Sequence, residues 1–369
     1  MNVIFVQILN MPYNTMKKKI KIIIIGCGKI AHHYIKIIRS KKINNFKLVG
    51  FFDIDINKAS LLAKKFYSKA FTNLDKMLDE TNSDLAIILS PSGLHYAHTK
   101  KVLKKKINVL VEKPAALIPS QVKELSILAK KKKLLYVVAF QNRLNLSIVC
   151  LKEAINKKRF GKIITSSINL RWCRFQKYYN DDWHGTWKHD GGVINQQALH
   201  HIDALNWLIG PVNSVCAKMS NQLNKLEAED TTVAIMKLKN GGLCTLEATT
   251  AARPRDFEAS ISIVGEKGMV KIGGIALNKI ETWEFLSKKK EDKFIPKKFS
   301  EKVKNGYGNS HPKLIQKTLN ELRKNKKKSP ISVSHVIEST KLIHALYSSE
   351  ENKKWIHLRD MPISKRLGK

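Results

Sequence analysis

The architecture of this chain follows from one short segment, Ile22-Ile23-Ile24-Ile25-Gly26-Cys27-Gly28-Lys29-Ile30-Ala31. Its isoleucine run predicts a buried strand, and a helical pattern over Ala31–Ile38 comes directly after the glycines. In a Gly-x-Gly-x-x-Ala turn, the first glycine permits a tight bend and the second lets a pyrophosphate approach the backbone. The small third residue lets the helix pack closely on the strand. The segment therefore predicts a dinucleotide site at a helix N-terminus.

An acidic residue follows the second predicted strand. That strand covers Lys47–Phe52 and ends at Asp53, which lies 25 residues past Gly28. A carboxylate at this place can accept hydrogen bonds from the ribose hydroxyls of the dinucleotide. It would also repel a 2′-phosphate. The sequence thus predicts NAD rather than NADP as the cofactor.

Strand and helix patterns alternate from Asp53 to Arg143, which predicts a doubly wound parallel sheet of the Rossmann type. Three polar segments follow predicted strands of this sheet, namely Ser90–His95, Glu112–Pro114 and Gln141–Arg143. Ligands of such sheets bind beyond the carboxyl ends of the strands. We therefore expect all three segments to line the binding cleft.

The second half of the chain has longer strand patterns, several of them separated by turn glycines. The predicted strands cover residues 163–172, 215–222, 231–238, 242–249, 258–264 and 269–272. They indicate an α+β domain with a large, mostly antiparallel open sheet, so the fold class is α/β with two domains. The exposed face of such a sheet needs a partner, and we expect a homodimer or homotetramer.

The domain organisation expected from these patterns has three parts. Residues 17–143 form the NAD-binding Rossmann domain, and residues 144–369 form a domain for substrate binding and oligomerisation. Residues 1–16 are either a disordered extension or precede a true translation start at Met16.

The composition limits the other classes of function. The formal net charge of +37 raises the hypothesis of nucleic-acid binding. However, the lysines occur in short groups along the whole chain, without a recognition-helix pattern, so we favour solvated faces. No apolar run reaches the ~20 residues of a membrane span. The five cysteines are an odd number without metal-ligand spacing, which favours free thiols in the cytoplasm and no metal site.

A helix predicted over Gln196–Ile209 carries the candidate chemistry. At 100° per residue, Gln196, His200 and Asp203 fall within about 60° of one another, and the apolar residues lie opposite. His200 therefore lies on the polar stripe, whereas His201 flanks the apolar face and is expected to be packed and hydrogen-bonded. Histidine suits proton transfer because its ordinary pKa of about 6.5 lies close to neutral pH.

The ordered set of Gly26–Ala31, Ser90–His95, Glu112-Lys113-Pro114 and Gly191–Asp203 resembles the glucose–fructose oxidoreductase / inositol dehydrogenase (Gfo/Idh/MocA) family. The resemblance extends from about Lys17 to the C-terminus. It implies that Lys113 lies beside the nicotinamide and the reacting sugar hydroxyl, and that Gln196 and His200 complete the catalytic site. This chain has glutamine where the inositol-dehydrogenase branch has aspartate. Because an amide is not a base, proton transfer falls to His200 with Lys113, and Gln196 orients the substrate.

Together, the motifs and the resemblance define the expected site. The cofactor-binding residues are Gly26, Gly28, Lys29, Ile30, Asp53, Ser90, Pro91, His95, Glu112, Lys113 and Gln141. The substrate-binding residues are Lys113, Arg143, Arg171, Gln196 and His200, with the two arginines expected to contact a carboxylate or a diphosphate. His311 is expected either to close the site or to cap a helix.

The segments at residues 174–187, 191–200 and 248–254 resemble the branch that acts on UDP-N-acetylhexosamines or their uronic acids. This resemblance implies oxidation of the C3 hydroxyl in surface-polysaccharide synthesis. The alternatives are a dehydrogenase of a free sugar or a polyol such as inositol, and a non-catalytic NAD-binding sensor or partner subunit. A nucleic-acid-binding protein is a further rival.

Overall fold

The computed structural model describes residues 19–40 and 42–369, so the expectation for residues 1–16 lies outside the described part. The first sheet has six strands, all parallel: β1 Ile20–Ile25, β2 Phe46–Phe52, β3 Lys69–Phe71, β4 Leu85–Ile88, β5 Asn108–Val111 and β6 Tyr136–Val138. Their order in space is β3-β2-β1-β4-β5-β6. The direction of winding reverses between β1 and β4, which is where ligands bind in sheets of this type.

Five helices cross over between these strands: α1 Lys29–Arg39, α2 Ile56–Lys64, α3 Leu74–Glu80, α4 His95–Lys104 and α5 Pro119–Lys131. The strands β1, β4 and β5 are buried on both faces, which explains their nearly continuous Ile, Leu and Val runs. Because all six strands are parallel, the ends that carry Gly26, Asp53, Ser90 and Glu112 meet at one edge.

The second sheet has eight strands: β7 Ile163–Arg171, β8 Val212–Ser220, β9 Thr231–Leu238, β10 Leu243–Thr249, β11 Glu258–Gly265, β12 Gly268–Gly273, β13 Lys279–Phe285 and β14 Ile356–His357. Their order is β13-β12-β11-β7-β10-β9-β8-β14. Six of the seven pairings are antiparallel, and β7 with β10 is the parallel pair. The predicted fold class, a Rossmann sheet followed by a mostly antiparallel sheet, is confirmed.

The remaining helices are α6 Leu146–Asn156, α7 Val193–Gln196, α8 Leu199–Ile209, α9 Ile295–Phe299, α10 His311–Arg323 and α11 Val333–Asn352. The prediction of one continuous helix over Gln196–Ile209 is wrong. The helix is interrupted at Gln197–Ala198, where the Ala198 N–H donates to the carbonyl of Val193, five residues back. The side chain of Gln196, at the end of α7, donates a hydrogen bond to Asp190.

A buried ion pair joins the two halves of the chain. Arg143 lies in the turn Gln141–Leu144 after β6, where the predicted domain boundary falls. Its Nε and Nη2 donate to the two carboxylate oxygens of Asp203 at 2.7 and 2.6 Å. Ser339 of α11 donates to the same carboxylate. The side chains of Arg143 and Asp203 are only 4% and 1% exposed. The guanidinium predicted to contact the substrate is therefore engaged with Asp203 instead.

This pair predicts a large loss of stability when one partner is removed. We expect Arg143→Met to lower the free energy of unfolding by about 3–5 kcal/mol, because a buried carboxylate loses its counter-charge. The double variant Arg143→Met/Asp203→Leu is expected to recover most of that loss. Urea unfolding measures both.

The control is Lys101→Met, which breaks the exposed pair with Asp75 and should cost about 1 kcal/mol or less. Wild-type stability in Arg143→Met, combined with a raised KM, would contradict the structural role and favour substrate contact.

Candidate active site

The glycine turn after β1 has the shape that the dinucleotide motif predicts. Gly26 has a φ of +94°, and a Cβ there would lie 2.6 Å from the backbone nitrogen of Ser90. A Cβ on Gly28 would meet nothing within 4 Å, so the space in front of the α1 N-terminus is open. Ala31 is fully buried between helix and sheet. This backbone fits a pyrophosphate, which would lie against the first residues of α1, Lys29 and Ile30.

Asp53 is held directly beside this turn. Its Oδ2 accepts a hydrogen bond of 2.8 Å from the backbone nitrogen of Cys27, between the two glycines. Its Oδ1 accepts from the backbone nitrogen of Asp55 at 3.0 Å. Each carboxylate oxygen has further acceptor capacity. The half-buried carboxylate can therefore accept ribose hydroxyls at the edge of the same cradle.

His95 holds two loops of the cleft together. Its Nδ1 lies 2.6 Å from the carbonyl of Pro114, and its Nε2 lies 2.8 Å from the carbonyl of Ser90. Burial lowers the pKa of His95, although both carbonyls oppose the shift. Pro91 begins the short 3-10 turn Ser92–Leu94. Both ring nitrogens of His95, a predicted cofactor-binding residue, therefore already have hydrogen-bond partners within the protein.

Residues that follow β5 and β6 contact residues of α7 and α8 at the cleft. The Lys113 Nζ, after β5, donates to the side-chain Oε1 of Gln196 at 2.7 Å and to the backbone carbonyl of Gln196 at 2.6 Å. The Nε2 of His200, in the first turn of α8, lies 3.3 Å from the Nε2 of Gln141. Lys113 therefore contacts Gln196, and its charge acts on His200, although Lys113 is about 80 residues from both in sequence.

Burial sets the protonation of these groups. Burial, and next to it the charge of Lys113, hold the pKa of His200 well below its ordinary value. His200 is therefore neutral at pH 7 and able to accept a proton. Burial also lowers the pKa of Lys113, while the negative charges of Glu112 and Asp190 oppose the shift. The shift of His200 favours its neutral form, which is what a group that accepts a proton requires.

Glu112 points to a different cluster. Its Oε1 accepts from the hydroxyl of Tyr34 in α1 at 2.8 Å and lies 3.3 Å from the Nε2 of His311. Burial alone would raise the pKa of Glu112, but His311, Tyr34 and Lys113 hold it at about 2. His311 is the first residue of α10 and is buried, and its ring pairs with Glu112 rather than capping the helix.

His201 is packed as predicted, but its expected hydrogen bonds are not seen. The side chain is 1% exposed and its ring meets Trp172 edge-on at 6.0 Å between centroids. Neither ring nitrogen has a hydrogen-bond partner within the described residues. Burial lowers the pKa of His201 to about 3, so its ring is neutral.

The structure does not bring Arg171 to the cleft. Its neighbours Leu170 and Trp172 are buried beneath the helices, so Arg171 points to the opposite face of the second sheet. There it bonds Glu247 and Glu258, each at 2.6 Å. With Arg143 engaged by Asp203, neither arginine predicted to contact the substrate is free in the cleft. Period-two alternation along β7 could have placed Arg171 on the outer face.

One acidic residue of the site was not predicted. Asp190 is 1% exposed, and its Oδ1 accepts from Gln196 Nε2 at 2.8 Å. Its Oδ2 accepts from the backbone nitrogen of Gly185 at 3.1 Å. Burial raises the pKa of Asp190 to about 7. An aspartate directly before Gly191-Gly192 has the sequence pattern of a solvated turn, so only the folded contacts reveal it.

The loop between β7 and α7 lies across the cleft. Tyr178 of this loop packs under the Lys29 Nζ, which is 5.6 Å from the ring centroid. His184 is stacked on Trp183 at 3.6 Å and bonds Asp181 through Nδ1. A Cβ on Gly93 would clash with His189 of the loop, at 2.5 Å. The second domain thus supplies one wall of the cofactor cleft.

The sequence of this chain matches one family over both halves. Residues 20–140 match the NAD-binding Rossmann fold of the Gfo/Idh/MocA oxidoreductases, and residues 152–358 match their C-terminal alpha/beta domain. The chain belongs to the Gfo/Idh/MocA family. The resemblance stated from the motifs is therefore confirmed, and so is NAD as the cofactor. As a member of this family, the protein is an NAD-dependent oxidoreductase that acts on CH–OH groups.

Several family members of known structure or activity are similar to it. The WlbA dehydrogenase of Chromobacterium violaceum, solved with NADH and UDP-GlcNAcA, is 32% identical, with a TM-score of 0.85 over 92% of this chain and 96% of that one. The Bordetella pertussis WlbA dehydrogenase, in complex with the same two ligands, is 30% identical, with a TM-score of 0.86 over 92% and 98%. The glucose-6-phosphate 3-dehydrogenase of Bacillus subtilis is 28% identical over 67% of this chain and 72% of its own.

No helix in residues 19–40 and 42–369 is both long and apolar enough to cross a membrane. Within the same residues, no cluster of three or more His, Cys, Asp or Glu side chains has the geometry to hold a metal ion.

The position of Asp53 predicts its contribution to cofactor binding. We expect Asp53→Ala to weaken NADH binding about 10- to 100-fold, because hydrogen bonds to an ionised carboxylate are lost. The discrimination against NADPH should shrink in the same variant. Protein fluorescence on titration with each dinucleotide measures both effects.

The matched control is Asp55→Ala, which removes the nearby N-cap of α2. It should leave the NADH dissociation constant within about twofold if stability is kept. Equal weakening in both variants would mean that the loop, not the Asp53 carboxylate, matters.

Proposed function

We propose that this protein oxidises the C3 hydroxyl of a UDP-N-acetylhexosamine, or of its uronic acid, in the biosynthesis of surface-polysaccharide sugars. The observation that carries the proposal is the contact of Lys113 with Gln196 beside His200. Lys113 follows a strand of the first sheet, and Gln196 and His200 lie on the helices α7 and α8 of the second domain. A proton acceptor and a cationic donor are thus available to one alcohol.

The proposed reaction converts a CH–OH group to a ketone. NAD⁺, when bound, accepts the hydride that leaves the carbon. His200, neutral because it is buried, accepts the proton of the hydroxyl. Lys113 has three N–H donors as an ammonium, and two of them are bonded to Gln196. The third remains to hold the substrate oxygen and to stabilise negative charge on it.

Positioning supplies much of the rate in such a reaction. Gln196 cannot accept a proton, but it holds the Lys113 side chain at two points and so limits the positions of the ammonium. Fixing the donor relative to the alcohol lowers the entropy cost of reaching the transition state. Phe140 meets the His200 ring edge-on at 5.9 Å and restricts that side chain as well.

A nucleotide sugar is supported by the loop across the cleft and by the relatives. The half-buried rings of Tyr178 and Trp183 belong to this loop and suit contact with a base or a sugar, and Lys29 offers a cation for phosphates. Both WlbA dehydrogenases, solved with UDP-GlcNAcA, are at least 30% identical to this chain. Gln196 in place of aspartate disfavours the inositol alternative. A sugar phosphate is the second candidate, because the Bacillus subtilis relative acts on glucose 6-phosphate.

The proposal predicts the outcome of a substrate panel. Reduction of NAD⁺ should be fastest with UDP-GlcNAcA or UDP-GlcNAc, and slower with glucose 6-phosphate and myo-inositol. We expect Lys113→Met and His200→Asn each to lower kcat/KM about 10²- to 10⁴-fold, as removal of acid–base groups does. NADH absorbance at steady state measures these rates.

Matched controls are Lys101→Met and His357→Asn, which lie away from the cleft and should leave the rates unchanged. Full turnover in Lys113→Met and His200→Asn would contradict the assignment. Tight NADH binding without turnover of any sugar would favour the non-catalytic alternative.

We also propose that the second sheet mediates a homo-oligomer. Its outer face exposes Val233, Ile235, Leu243 and Met269 beside polar residues, whereas the helices cover the inner face. A dimer would remove these apolar side chains from water. Sedimentation velocity should show a dimer or tetramer that Ile235→Arg weakens and the exposed-helix control Leu61→Arg does not. A monomeric wild-type protein would contradict this expectation.

A further inference from the structure

The buried carboxylate of Asp190 is linked to Lys113 through one intervening side chain, that of Gln196. Asp190 does not contact Lys113 directly, but both residues bond the same amide side chain. Gln196 donates through Nε2 to Asp190 Oδ1 at 2.8 Å and accepts through Oε1 from Lys113 Nζ at 2.7 Å. The three side chains therefore form one chain of hydrogen bonds, from carboxylate to amide to ammonium.

This chain decides which way the amide of Gln196 points. An ionised carboxylate can only accept hydrogen bonds, so it must face the NH₂ end of the amide. The oxygen end is then turned towards Lys113, whose ammonium can only donate. If Asp190 could not accept, only the bond from Lys113 would still favour this orientation, and a turned amide would meet the Nζ of Lys113 donor to donor.

We propose that Asp190 is a positioning residue of the dehydrogenase: it orients the amide of Gln196 and thereby holds Lys113 in its catalytic place. The inference rests on the proposed function of Lys113. It adds a residue outside the sites predicted from the sequence. It also accounts for glutamine at position 196 in place of aspartate, because the negative charge lies on Asp190, to which Gln196 is bonded.

The surroundings of Asp190 favour this role over a general structural one. The Gly185 N–H donates to its Oδ2, and the Ser92 hydroxyl lies 3.4 Å from its Oδ1, so the carboxylate cannot rotate freely. The charged groups that act on it are Lys113, which favours ionisation, and Asp181, which disfavours it. The neighbouring ionisable groups are the phenols of Tyr178, Tyr179 and Tyr347, whose pKa values burial raises, and Glu229, which accepts from Tyr347 and whose pKa burial raises to about 7.

The pH dependence of the reaction follows from this arrangement. Because burial raises the pKa of Asp190 to about 7, the carboxylate is protonated below that pH and ionised above it. Only the ionised form accepts from both Gln196 and the Gly185 N–H, because protonation turns one carboxylate oxygen into a donor, so kcat should rise as the pH increases through about 7. His200 does not produce this limb, because its pKa lies well below 6.5.

An exchange of the acid and the amide tests the proposal. Asp190→Asn leaves one oxygen for the two N–H groups, of Gln196 and Gly185, that the carboxylate accepts, and Gln196→Glu places two carboxylates face to face. Each single variant should lower kcat about 10²-fold through misplacement of Lys113, with the NADH dissociation constant unchanged. In the double variant Asp190→Asn/Gln196→Glu, the asparagine donates to the glutamate and the glutamate accepts from Lys113. The double variant should regain kcat to within about tenfold of wild type.

The pH profile separates positioning from folding. Asp190→Asn should lose the limb near pH 7, while its thermal midpoint stays close to that of the double variant. Wild-type kcat and an unchanged pH limb in Asp190→Asn would overturn the proposal. Equal loss in the single and double variants would overturn it too, because restored hydrogen bonding would then not restore activity.

A second readout is independent of turnover. Competitive labelling with acetic anhydride, followed by mass spectrometry, reports the fraction of Lys113 present as the free amine, with Lys101 as the internal control. Asp190→Asn should increase labelling of Lys113 at pH 8, because a neighbouring negative charge is lost, and the double variant should return it to the wild-type level. Unchanged labelling would overturn the coupling of Asp190 to Lys113. If no sugar reduces NAD⁺ but labelling follows this pattern, the proposed function fails and the coupling stands.

Discussion

The bond between Lys113 and Gln196 is the contact on which the rest of the site depends. It crosses from the carboxyl edge of the first sheet to the helix pair that packs on the second, so it exists only when both halves are folded and docked. The ion pair of Arg143 with Asp203 and the pair of His311 with Glu112 join the same two halves on either side of it. The cleft is therefore held by buried polar contacts, which are strongly directional and costly to break.

Burial gives these groups their chemistry. His200, Lys113 and Asp190 each experience desolvation that favours the neutral form. Neighbouring charges oppose these pKa shifts to different extents. Glu112 is buried too, but it stays ionised because His311, Tyr34 and Lys113 stabilise its charge. The outcome is a neutral imidazole, a lysine of lowered pKa and a carboxylate that titrates near neutral pH. Such a set can exchange a proton with an alcohol under physiological conditions.

The parts of the fold that local chemistry determines could be predicted from the sequence. The backbone geometry of the turn requires Gly26 and Gly28, and Asp53 directly follows its strand. The spacing of apolar residues along the strands indicates which faces are buried. The stripe that separates His200 from His201 also followed from helix geometry. These features depend on residues within about one helix turn or one strand of each other.

Long-range partners could not be predicted in the same way. Arg143 was expected to contact the substrate because it follows β6 at the edge of the sheet where ligands bind. Its guanidinium instead donates to Asp203, 60 residues later in the sequence. Asp190 and the break at Gln197 arise from contacts made only after folding. The helix α11 has buried residues on several faces because it packs against α5, α8 and β8, so it has no clear apolar stripe to recognise.

Transfer of a hydride from C3 of the sugar to the nicotinamide is tested most directly by following the hydrogen that leaves the sugar. UDP-GlcNAcA carrying deuterium at C3 would be incubated with the enzyme and NAD⁺, and the reduced nicotinamide examined by NMR. Hydride transfer from C3 predicts deuterium at C4 of the nicotinamide and a slower reaction than with the unlabelled sugar. Reduced cofactor that carries no deuterium would contradict transfer from C3, and no reduced cofactor at all would contradict oxidation of this sugar.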